Sequence, residues 1–350
     1  MADAISLEEL QLAARNHGLP LEALRYPVTP VGLHYLLIHY DIPPVDAGSW
    51  ALSIGGLVAN PMKLTLDELR ARPAVELTVT MECAGNGRAQ LTPHVVSQPW
   101  LNEAVGTARW RGVALAALLE EASPLDDAAE VVFTGLDRGL EKEIEQQYER
   151  SLRLDDTRDA VLAYEMNGAA LPPQHGFPLR LVVPGWYGMT SVKWLTSIEV
   201  IDRPFEGYQQ AEAYRFRLDE DDDGRPLTRM APRALMIPPG IPEFSSRART
   251  VARGDVRLEG RAWSGHAPIT GVEVSDDGGE TWADADLGPD EGRWAWRGWG
   301  HLWRPKRTGY HELCCRGRDV AGNVQPLEPQ WNVGGYSNNA VQRVPVTVTE

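Results

Sequence analysis

Cysteine is scarce in this chain, and its three positions exclude most of the structural roles that cysteine plays in small secreted or zinc-binding proteins. Cys314 and Cys315 are adjacent, so on a strand their side chains point to opposite faces and cannot pair with each other. No cysteine belongs to a CxxC pair, and no cysteine–histidine spacing indicates zinc. Cys83 is therefore the only cysteine whose setting indicates a chemical role.

Long apolar runs are also missing, and none approaches the roughly 20 residues that a membrane-spanning helix needs. The first six residues, Met-Ala-Asp-Ala-Ile-Ser, lack the basic start and apolar centre of a secretion signal, and no twin arginine is present there. We therefore expect no membrane span and a cytoplasmic location. No GxGxxG follows a predicted strand and no phosphate-binding GxxxxGK motif occurs, so nucleotide binding is not expected.

Positive charge is in deficit, because 34 lysines and arginines stand against 49 aspartates and glutamates and give a net charge of −15. So acidic a chain is repelled by nucleic acid and by anionic membranes, and neither is expected as a partner. The acidic run at residues 219–223 contributes to this charge and is interpreted as a solvated loop. Any site for an anion must be a local cationic pocket.

The chain does have ample material for a large core. Its 350 residues, 43% of them hydrophobic, are enough for two domains. In residues 1–235 short predicted strands and helices mix irregularly, which favours an α+β fold over a doubly wound sheet. Two capping boxes, Ser6 with Glu9 and Thr65 with Glu68, predict the starts of two helices. The composition of residues 113–119 predicts a third helix.

The pattern changes to all-β in residues 236–350, after a proline-rich connector at 236–242. Predicted strands at 256–263, 271–275, 293–299 and 310–316 are separated by turn signals, which is typical of an immunoglobulin-like sandwich. Seven of the twelve tryptophans lie between residues 263 and 331. They could form a ligand-stacking surface, although core and interface positions are the commoner use of tryptophan.

The stretch around Cys83 combines a strand with a glycine loop. Residues 77–83 alternate as a half-buried strand does, with Leu77 and Cys83 on the same face. Gly85 and Gly87 then allow positive φ or the close approach of a bulky group, and Arg88 follows. Two interpretations stay open at this point: an ordinary buried cysteine before a tight turn, or a thiol placed for chemistry.

Four segments together decide between these interpretations, because they occur in the order found in one known family. They are Cys83-Ala84-Gly85-Asn86-Gly87-Arg88, His175-Gly176-Phe177-Pro178-Leu179-Arg180, Ser191-Val192-Lys193-Trp194-Leu195, and residues 274–282 with the later Trp294-Ala295-Trp296. The chain resembles the sulfite oxidase family of mononuclear molybdenum enzymes over nearly its whole length. The last of these segments resembles that family's C-terminal dimerisation domain.

The resemblance implies a molybdenum–molybdopterin cofactor with Cys83 as the protein ligand to the metal. It implies a sulfite dehydrogenase that oxidises sulfite to sulfate, works as a homodimer and passes electrons to a separate acceptor such as a cytochrome. The cofactor-binding residues it implies are His39, Tyr40, Asp41, Cys83, Asp137, His175, Arg180, Ser191, Val192 and Lys193. The catalytic residues it implies are Cys83, Tyr214, Arg88, His39, Arg343 and Trp100. No CxxCH or cytochrome-b-like segment is present, so no haem is expected in this chain.

The match departs from the family at positions that bear on the substrate. Where sulfite oxidases carry an arginine followed by Asn and His, this chain has His39-Tyr40-Asp41, and Glu76 and Gly87 also replace basic residues of the animal members. The loss of a permanent charge beside a dianion weakens binding by about 1–3 kcal/mol. Two alternatives therefore stand beside sulfite oxidation: reduction of an S- or N-oxide with the same cofactor, or a non-catalytic protein that binds a partner or glycan through its immunoglobulin-like domain, with Cys83 inert.

Overall fold

The structure, a computed structural model, describes residues 5–350. Within this range the chain forms three α-helices, short 3-10 turns, one π-helical turn (Gln209–Ala213) and 22 strands. The helices are α1 (Leu7–Arg15), α2 (Leu66–Arg70) and α3 (Leu115–Ala122). The strands up to residue 226 are β1 (Ala51–Gly56), β2 (Met62–Thr65), β3 (Ala74–Glu82), β4 (Val105–Ala114), β5 (Glu130–Glu141), β6 (Ile144–Arg153), β7 (Val161–Met166), β8 (Ala169–Ala170), β9 (Arg180–Val182), β10 (Leu195–Ile201), β11 (Arg215–Phe216) and β12 (Arg225–Pro226). The later strands are β13 (Arg233–Met236), β14 (Ile241–Pro242), β15 (Arg249–Ala252), β16 (Val256–Trp263), β17 (Ile269–Ser275), β18 (Ala283–Asp284), β19 (Asp286–Leu287), β20 (Arg297–Trp303), β21 (Gly309–Asp319) and β22 (Gln342–Thr349).

Local sequence signals set the starts of the helices. Both predicted capping boxes are confirmed: the Ser6 hydroxyl accepts from the Glu9 amide, the Thr65 hydroxyl accepts from the Glu68 amide, and each glutamate accepts a bond from the cap residue's own amide. The third predicted helix begins at Leu115, two residues later than the composition indicated, because residues 113 and 114 complete strand β4.

The first domain is α+β, as predicted, and contains two main sheets. One is mixed, in the order β2-β1-β10-β5-β6, with β1 parallel to β10. The other is antiparallel, in the order β3-β4-β7-β8, with β9 also paired to β7. Side chains from both sheets and from α2 and α3 share one hydrophobic core, which includes Leu69, Leu118, Phe133, Leu162 and Ile198. The buried side chains of β3, Val79 and Met81, pack in a separate cluster with Trp110 and Val182, and the Cys83 loop follows the end of this strand.

The second domain is a sandwich of two sheets, which confirms the predicted all-β fold. Its sheets have the orders β13-β16-β20-β19 and β14-β15-β22-β21-β17-β18. The core between them includes Ala234, Leu258, Val272, Leu313 and Val346. The immunoglobulin-like type of this sandwich stays a prediction. Strand β13 begins at Arg233, so the sandwich takes in residues that the sequence prediction assigned to the first domain.

The tryptophans of the second domain mostly serve as core. Trp263, Trp296, Trp299 and Trp303 are each at most 5% exposed. Trp263 and Trp296 join a cluster with Leu19 and other residues of the first domain, and so they hold the two domains together. This burial contradicts the idea that these four side chains form a ligand-stacking surface. Among residues 5–350, no helix is long and apolar enough to cross a membrane.

Candidate active site

Cys83 is positioned by the end of strand β3 and by the turn that follows it. Its amide donates to the Ala104 carbonyl at 2.9 Å, and its own carbonyl accepts from the Asn86 amide at 3.0 Å. Gly87 adopts φ of +91°, a conformation that side chains rarely take. A Cβ at Gly85 would lie 2.8 Å from the guanidinium of Arg88, so the glycine lets that side chain fold back under the loop. The turn thus places Cys83 and Arg88 side by side.

The second domain supports this loop from behind. Glu82, one residue before Cys83, is buried and forms an ion pair with Arg233 at 2.8 Å. The Trp263 indole N–H donates to the other oxygen of Glu82, also at 2.8 Å. The Asn338 side chain donates to the Gly87 carbonyl at 2.8 Å. Three residues from beyond position 230 therefore fix the cysteine loop. The sequence predicted a strand with one buried and one solvent-facing side. Glu82 is instead buried, because its side of the strand faces the second domain and not solvent.

The Cys83 side chain reaches a narrow cavity inside the first domain, here called the inner cavity. It encloses about 610 Å³ of empty space, a figure that includes its opening to solvent. Cys83, Met81, Arg180 and Lys193 line it, and Arg180 Nη2 lies 3.7 Å from the Met81 sulfur. The predicted residues His39, Asp137, His175, Ser191 and Tyr214 also line it.

Two cationic side chains, the buried Arg180 and the partly buried Lys193, line the inner cavity. Arg180 donates to the carbonyls of His175 and Ser191, both at 3.1 Å, and burial lowers its pKa only to about 10, so it stays charged. Lys193 donates to the Leu37 carbonyl at 2.8 Å. Burial lowers the pKa of Lys193, with the charge of Arg180 acting in the same direction. A buried anion in this cavity would offset the cost of burying both cations.

Several buried polar atoms around the inner cavity have no partner in the protein. They are His34 Nε2, Asp137 Oδ1 and Arg180 Nε. A buried polar atom without a hydrogen bond costs about 1–3 kcal/mol, so three on one cavity wall indicate a site built for a polar ligand. Burial lowers the pKa of His34 to about 4 and that of His175 to about 2, so both rings are neutral. This donor set fits a pterin that carries a phosphate.

Among the residues that line the inner cavity, Cys83 carries the one thiol that could bind a metal ion. Among residues 5–350 no group of three or more His, Cys, Asp or Glu side chains could by itself hold a metal ion. A metal held mainly by a pterin dithiolene needs only one further protein sulfur, which Cys83 offers. Burial raises the pKa of Cys83, while the charge of Arg88 lowers it. A bound metal ion would hold it as thiolate.

A second, wider space adjoins the inner cavity and opens to solvent; it is called the outer chamber. It encloses about 1010 Å³ including its opening. Leu37, His39, Cys83 and Tyr214 line both spaces, so Cys83 lies at their junction. His39 Nε2 and the Tyr214 hydroxyl are 2.5 Å apart. Burial lowers the pKa of His39 to about 3, so its ring is neutral at ordinary pH.

Arg88 and three aromatic residues form the wall of the outer chamber beside Cys83. Arg88 donates through Nε to the Gly334 carbonyl at 2.9 Å and through Nη1 to the Gln98 carbonyl at 3.3 Å. Its guanidinium lies 4.9 Å from the centre of the Tyr336 ring, which in turn packs 5.3 Å from the Tyr214 ring. Trp100 is 5% exposed and packs against Cys83.

The structure brings most of the predicted site residues to these two spaces, with four exceptions. Tyr40 lies behind His39, where its hydroxyl accepts from Gln209, and Asp41 is exposed. Val192 is buried in the core. Arg343 lies on β22 of the sandwich and pairs with carboxylates of that domain, at 2.6 Å from Glu312. These four residues line neither the inner cavity nor the outer chamber.

Sequence reasoning missed several residues of the site. His34 and Met81 line the inner cavity, and Tyr336 and Gln98 line the outer chamber. His34 lies in an irregular segment with no motif around it. Tyr336 comes from the segment 332–339 that folds back from the second domain, and the signal that could have found it is the pair Gly334-Gly335 just before it. A Cβ at position 335 would lie 2.6 Å from the Arg88 side chain.

The chain is similar to known proteins over most of its length. Residues 39–209 match the family described as the oxidoreductase molybdopterin binding domain, and residues 241–349 match the Mo-co oxidoreductase dimerisation domain. Sulfite oxidase of Gallus gallus is 36% identical over 335 residues, which cover 90% of this chain and 72% of that protein. Mitochondrial sulfite oxidase of Homo sapiens is 36% identical over 348 residues, which cover 92% of this chain and 62% of that protein. This chain thus spans less than two thirds of the length of the human relative.

Two further relatives widen the range of reactions in this group. The NAD(P)H nitrate reductase of Hordeum vulgare is 33% identical over 351 residues, which cover 92% of this chain and 39% of that protein. The crystal structure of the sulfane dehydrogenase SoxCD from Paracoccus pantotrophus superposes with a TM-score of 0.81 at 25% identity and covers 95% of this chain and 86% of that chain. The domain matches, the level of identity and the shared fold lead to one conclusion: the chain belongs to the sulfite oxidase family of molybdopterin oxidoreductases.

Proposed function

We propose that this protein binds molybdenum–molybdopterin through Cys83 and oxidises sulfite to sulfate, with electrons passing to a separate acceptor such as a cytochrome. The observation that carries the proposal is the position of Cys83 at the junction of two spaces. One is cationic and lined by unpartnered polar atoms, which suits a cofactor. The other opens to solvent and holds Arg88, which suits a small anion.

In this proposal each group of the inner cavity has a separate part. Arg180, which is buried, and Lys193, which is partly buried, would hold the cofactor phosphate, because both line the inner cavity and hydrogen-bond to backbone carbonyls and not to carboxylates. His34 and Asp137 would bind the pterin through the atoms that have no protein partner. When bound, the molybdenum centre accepts two electrons from the substrate and releases them to the acceptor.

The chain's own residues would bind the anion and manage protons in the outer chamber. Arg88 has two of its nitrogens fixed by carbonyls, so its orientation is set before a substrate arrives. Oxidation of sulfite to sulfate takes its oxygen from water and releases two protons, while two electrons pass to the acceptor. The Tyr214 hydroxyl, held 2.5 Å from neutral His39, is placed to pass such protons toward the chamber.

The test is metal and pterin analysis of the purified protein, followed by a sulfite assay with a one-electron dye acceptor on the same sample. About one molybdenum per chain and dye reduction that depends on sulfite are expected. A metal-loaded preparation that is inert to sulfite would remove the substrate from the proposal but not the cofactor.

A second candidate reaction is the reduction of an S- or N-oxide. Two features of the outer chamber favour it: His39 is neutral, and Glu141 adds a carboxylate to the lining, so the space is less cationic than a dianion requires. The similarity to nitrate reductases points the same way. A screen of oxides with reduced dye as donor decides, since oxide reduction without sulfite oxidation would favour this reaction.

We also propose that the protein is a homodimer through its second domain. The match of residues 241–349 to a dimerisation domain supports this. Sedimentation at micromolar concentration should give a mass near twice 38.7 kDa, and a species of 38.7 kDa would contradict it. The cytoplasmic location stays a prediction. Family membership does not support the alternative of a non-catalytic binding protein.

A further inference from the structure

The outer chamber offers few charged donors to a substrate. Of its lining residues Arg88 is the only lysine or arginine, and Glu141 opposes it with a carboxylate. Arg150 lies behind the wall, where it donates to the Gln209 carbonyl and faces the back of the Tyr214 ring at 5.7 Å. A doubly charged oxyanion is held best by several charge-assisted hydrogen bonds. This chamber is better matched to a single negative charge.

The donors that remain suit two oxygen atoms. Arg88 binds carbonyls through Nε and Nη1, and its third nitrogen, Nη2, has no partner among residues 5–350. Trp100 is 5% exposed and its indole N–H, buried beside Cys83, also has no protein partner. The Tyr214 hydroxyl is a third group at the same junction. These groups can hold the two oxygens of a monoanion close to Cys83.

The rest of the chamber is aromatic and too large for sulfite alone. Tyr336, Tyr214 and Tyr208 line it together with Trp100, and the rings of Tyr214 and Tyr336 pack 5.3 Å apart. A water molecule takes up about 30 Å³ of the liquid, and the chamber has about 400 Å³ of space accessible to water, so an anion of four heavy atoms leaves most of it unfilled. Aromatic walls bind organic groups by burial and ring contacts.

We propose that the outer chamber takes organic sulfinates, R–SO2−, with the sulfur toward Cys83 and the organic group against Tyr336. A sulfinate has one charge, two oxygens and a sulfur lone pair, as this lining requires. Its oxidation is R–SO2− + H2O → R–SO3− + 2 H+ + 2 e−: one S–O bond forms, water supplies the oxygen, and the acceptor of the proposed function takes the electrons. The inference rests on that function, because it uses the same metal chemistry at the same junction.

The experiment compares benzenesulfinate with sulfite as substrates of the molybdenum-loaded protein, with the same dye acceptor. A kcat/KM for benzenesulfinate at least equal to that for sulfite is expected. Tyr336→Leu should lower the benzenesulfinate value about 2- to 10-fold more than the sulfite value, the size of one aromatic contact. Tyr336→Phe, which keeps the aromatic ring, should have a kcat/KM for benzenesulfinate close to that of the unaltered protein. Phe244→Leu is the matched control, because Phe244 is 89% exposed on the second domain.

A binding measurement removes the dependence on turnover. In titration calorimetry, benzenesulfonate, the product, should bind more tightly than sulfate. Tyr336→Leu should weaken the binding of benzenesulfonate by about 2- to 10-fold and leave the binding of sulfate unchanged. Sulfite turnover without benzenesulfinate turnover, together with no binding of benzenesulfonate, would overturn the inference and leave the proposed function standing. A loaded protein that oxidises neither compound would refute both.

Discussion

Removal of Arg233 is the most informative single change to the scaffold of the site. In Arg233→Met the Glu82 carboxylate, 2% exposed as a residue, keeps its donors from Trp263 and Asn86 but loses its only ion pair. A buried charge left without its partner destabilises a protein by about 3–5 kcal/mol. The unfolding entropy of about 2.1 cal/mol/K per residue over 350 residues converts this loss into a fall in Tm of about 4–7 °C.

Differential scanning calorimetry of the purified variant measures this fall. The matched control is Arg304→Met, whose ion pair with Asp255 is exposed, and its midpoint should stay within experimental error of the wild type. The double variant Arg233→Met, Glu82→Gln should recover at least half of the fall in Tm, because the unpaired buried charge of Glu82 is then removed. Since Glu82 adjoins Cys83, Arg233→Met should also retain less molybdenum per chain. A midpoint equal to that of Arg304→Met would refute the reasoning.

Three further predictions concern the two spaces beside Cys83. Without cofactor, Tm should fall as the pH drops from 6.5 to 4.5, because the unfolded chain protonates histidines that the fold keeps neutral. Each such histidine lowers the free energy of unfolding by up to about 1.4 kcal/mol per pH unit. A melting series should show that His34→Gln flattens this pH profile. Arg180→Met removes a charged donor to the cofactor phosphate and should weaken cofactor retention about 10- to 100-fold, measured as molybdenum and pterin left after dialysis. His39→Arg adds a permanent cation to the outer chamber and should lower KM for sulfite about 10-fold or more in the dye assay.

Each of these has its own control and its own contradicting result. For the pH series the control is His301→Gln, since His301 is not buried, and a flat profile in the unaltered protein would contradict the account. For cofactor retention the control is Arg316→Met in the sandwich, and full molybdenum in Arg180→Met would show that the cofactor phosphate is held elsewhere. For His39 the control is His39→Gln, which stays neutral; an unchanged KM in His39→Arg would place sulfite outside the chamber.

The sequence could predict the parts of this molecule that are local. The capping boxes, the existence of a strand before Cys83 and the all-β second domain depend on neighbours in the chain, and the structure confirms them; the strand itself runs over Ala74–Glu82. The division of the chain near residue 235 stays a prediction; strand β13 pairs with β16, a strand some 25 residues further on, and no local signal marks that pairing.

The remainder of the site depends on chain segments that are far apart. Arg233 and Tyr336 reach the Cys83 loop only because the second domain folds against the first, and no periodicity in the sequence shows that contact. Arg343 is placed by strand pairing in the same way. It lies opposite Cys314 in the pairing of β22 with β21, and its side chain meets the carboxylate of Glu312 within the sandwich.

The central claim is a bond between the sulfur of Cys83 and molybdenum, and X-ray absorption at the molybdenum edge tests it most directly. The wild type and Cys83→Ser should be compared at matched molybdenum content. The account predicts that the variant keeps the two dithiolene sulfurs, loses one sulfur neighbour of the metal and loses sulfite turnover. An unchanged sulfur count in Cys83→Ser would contradict it.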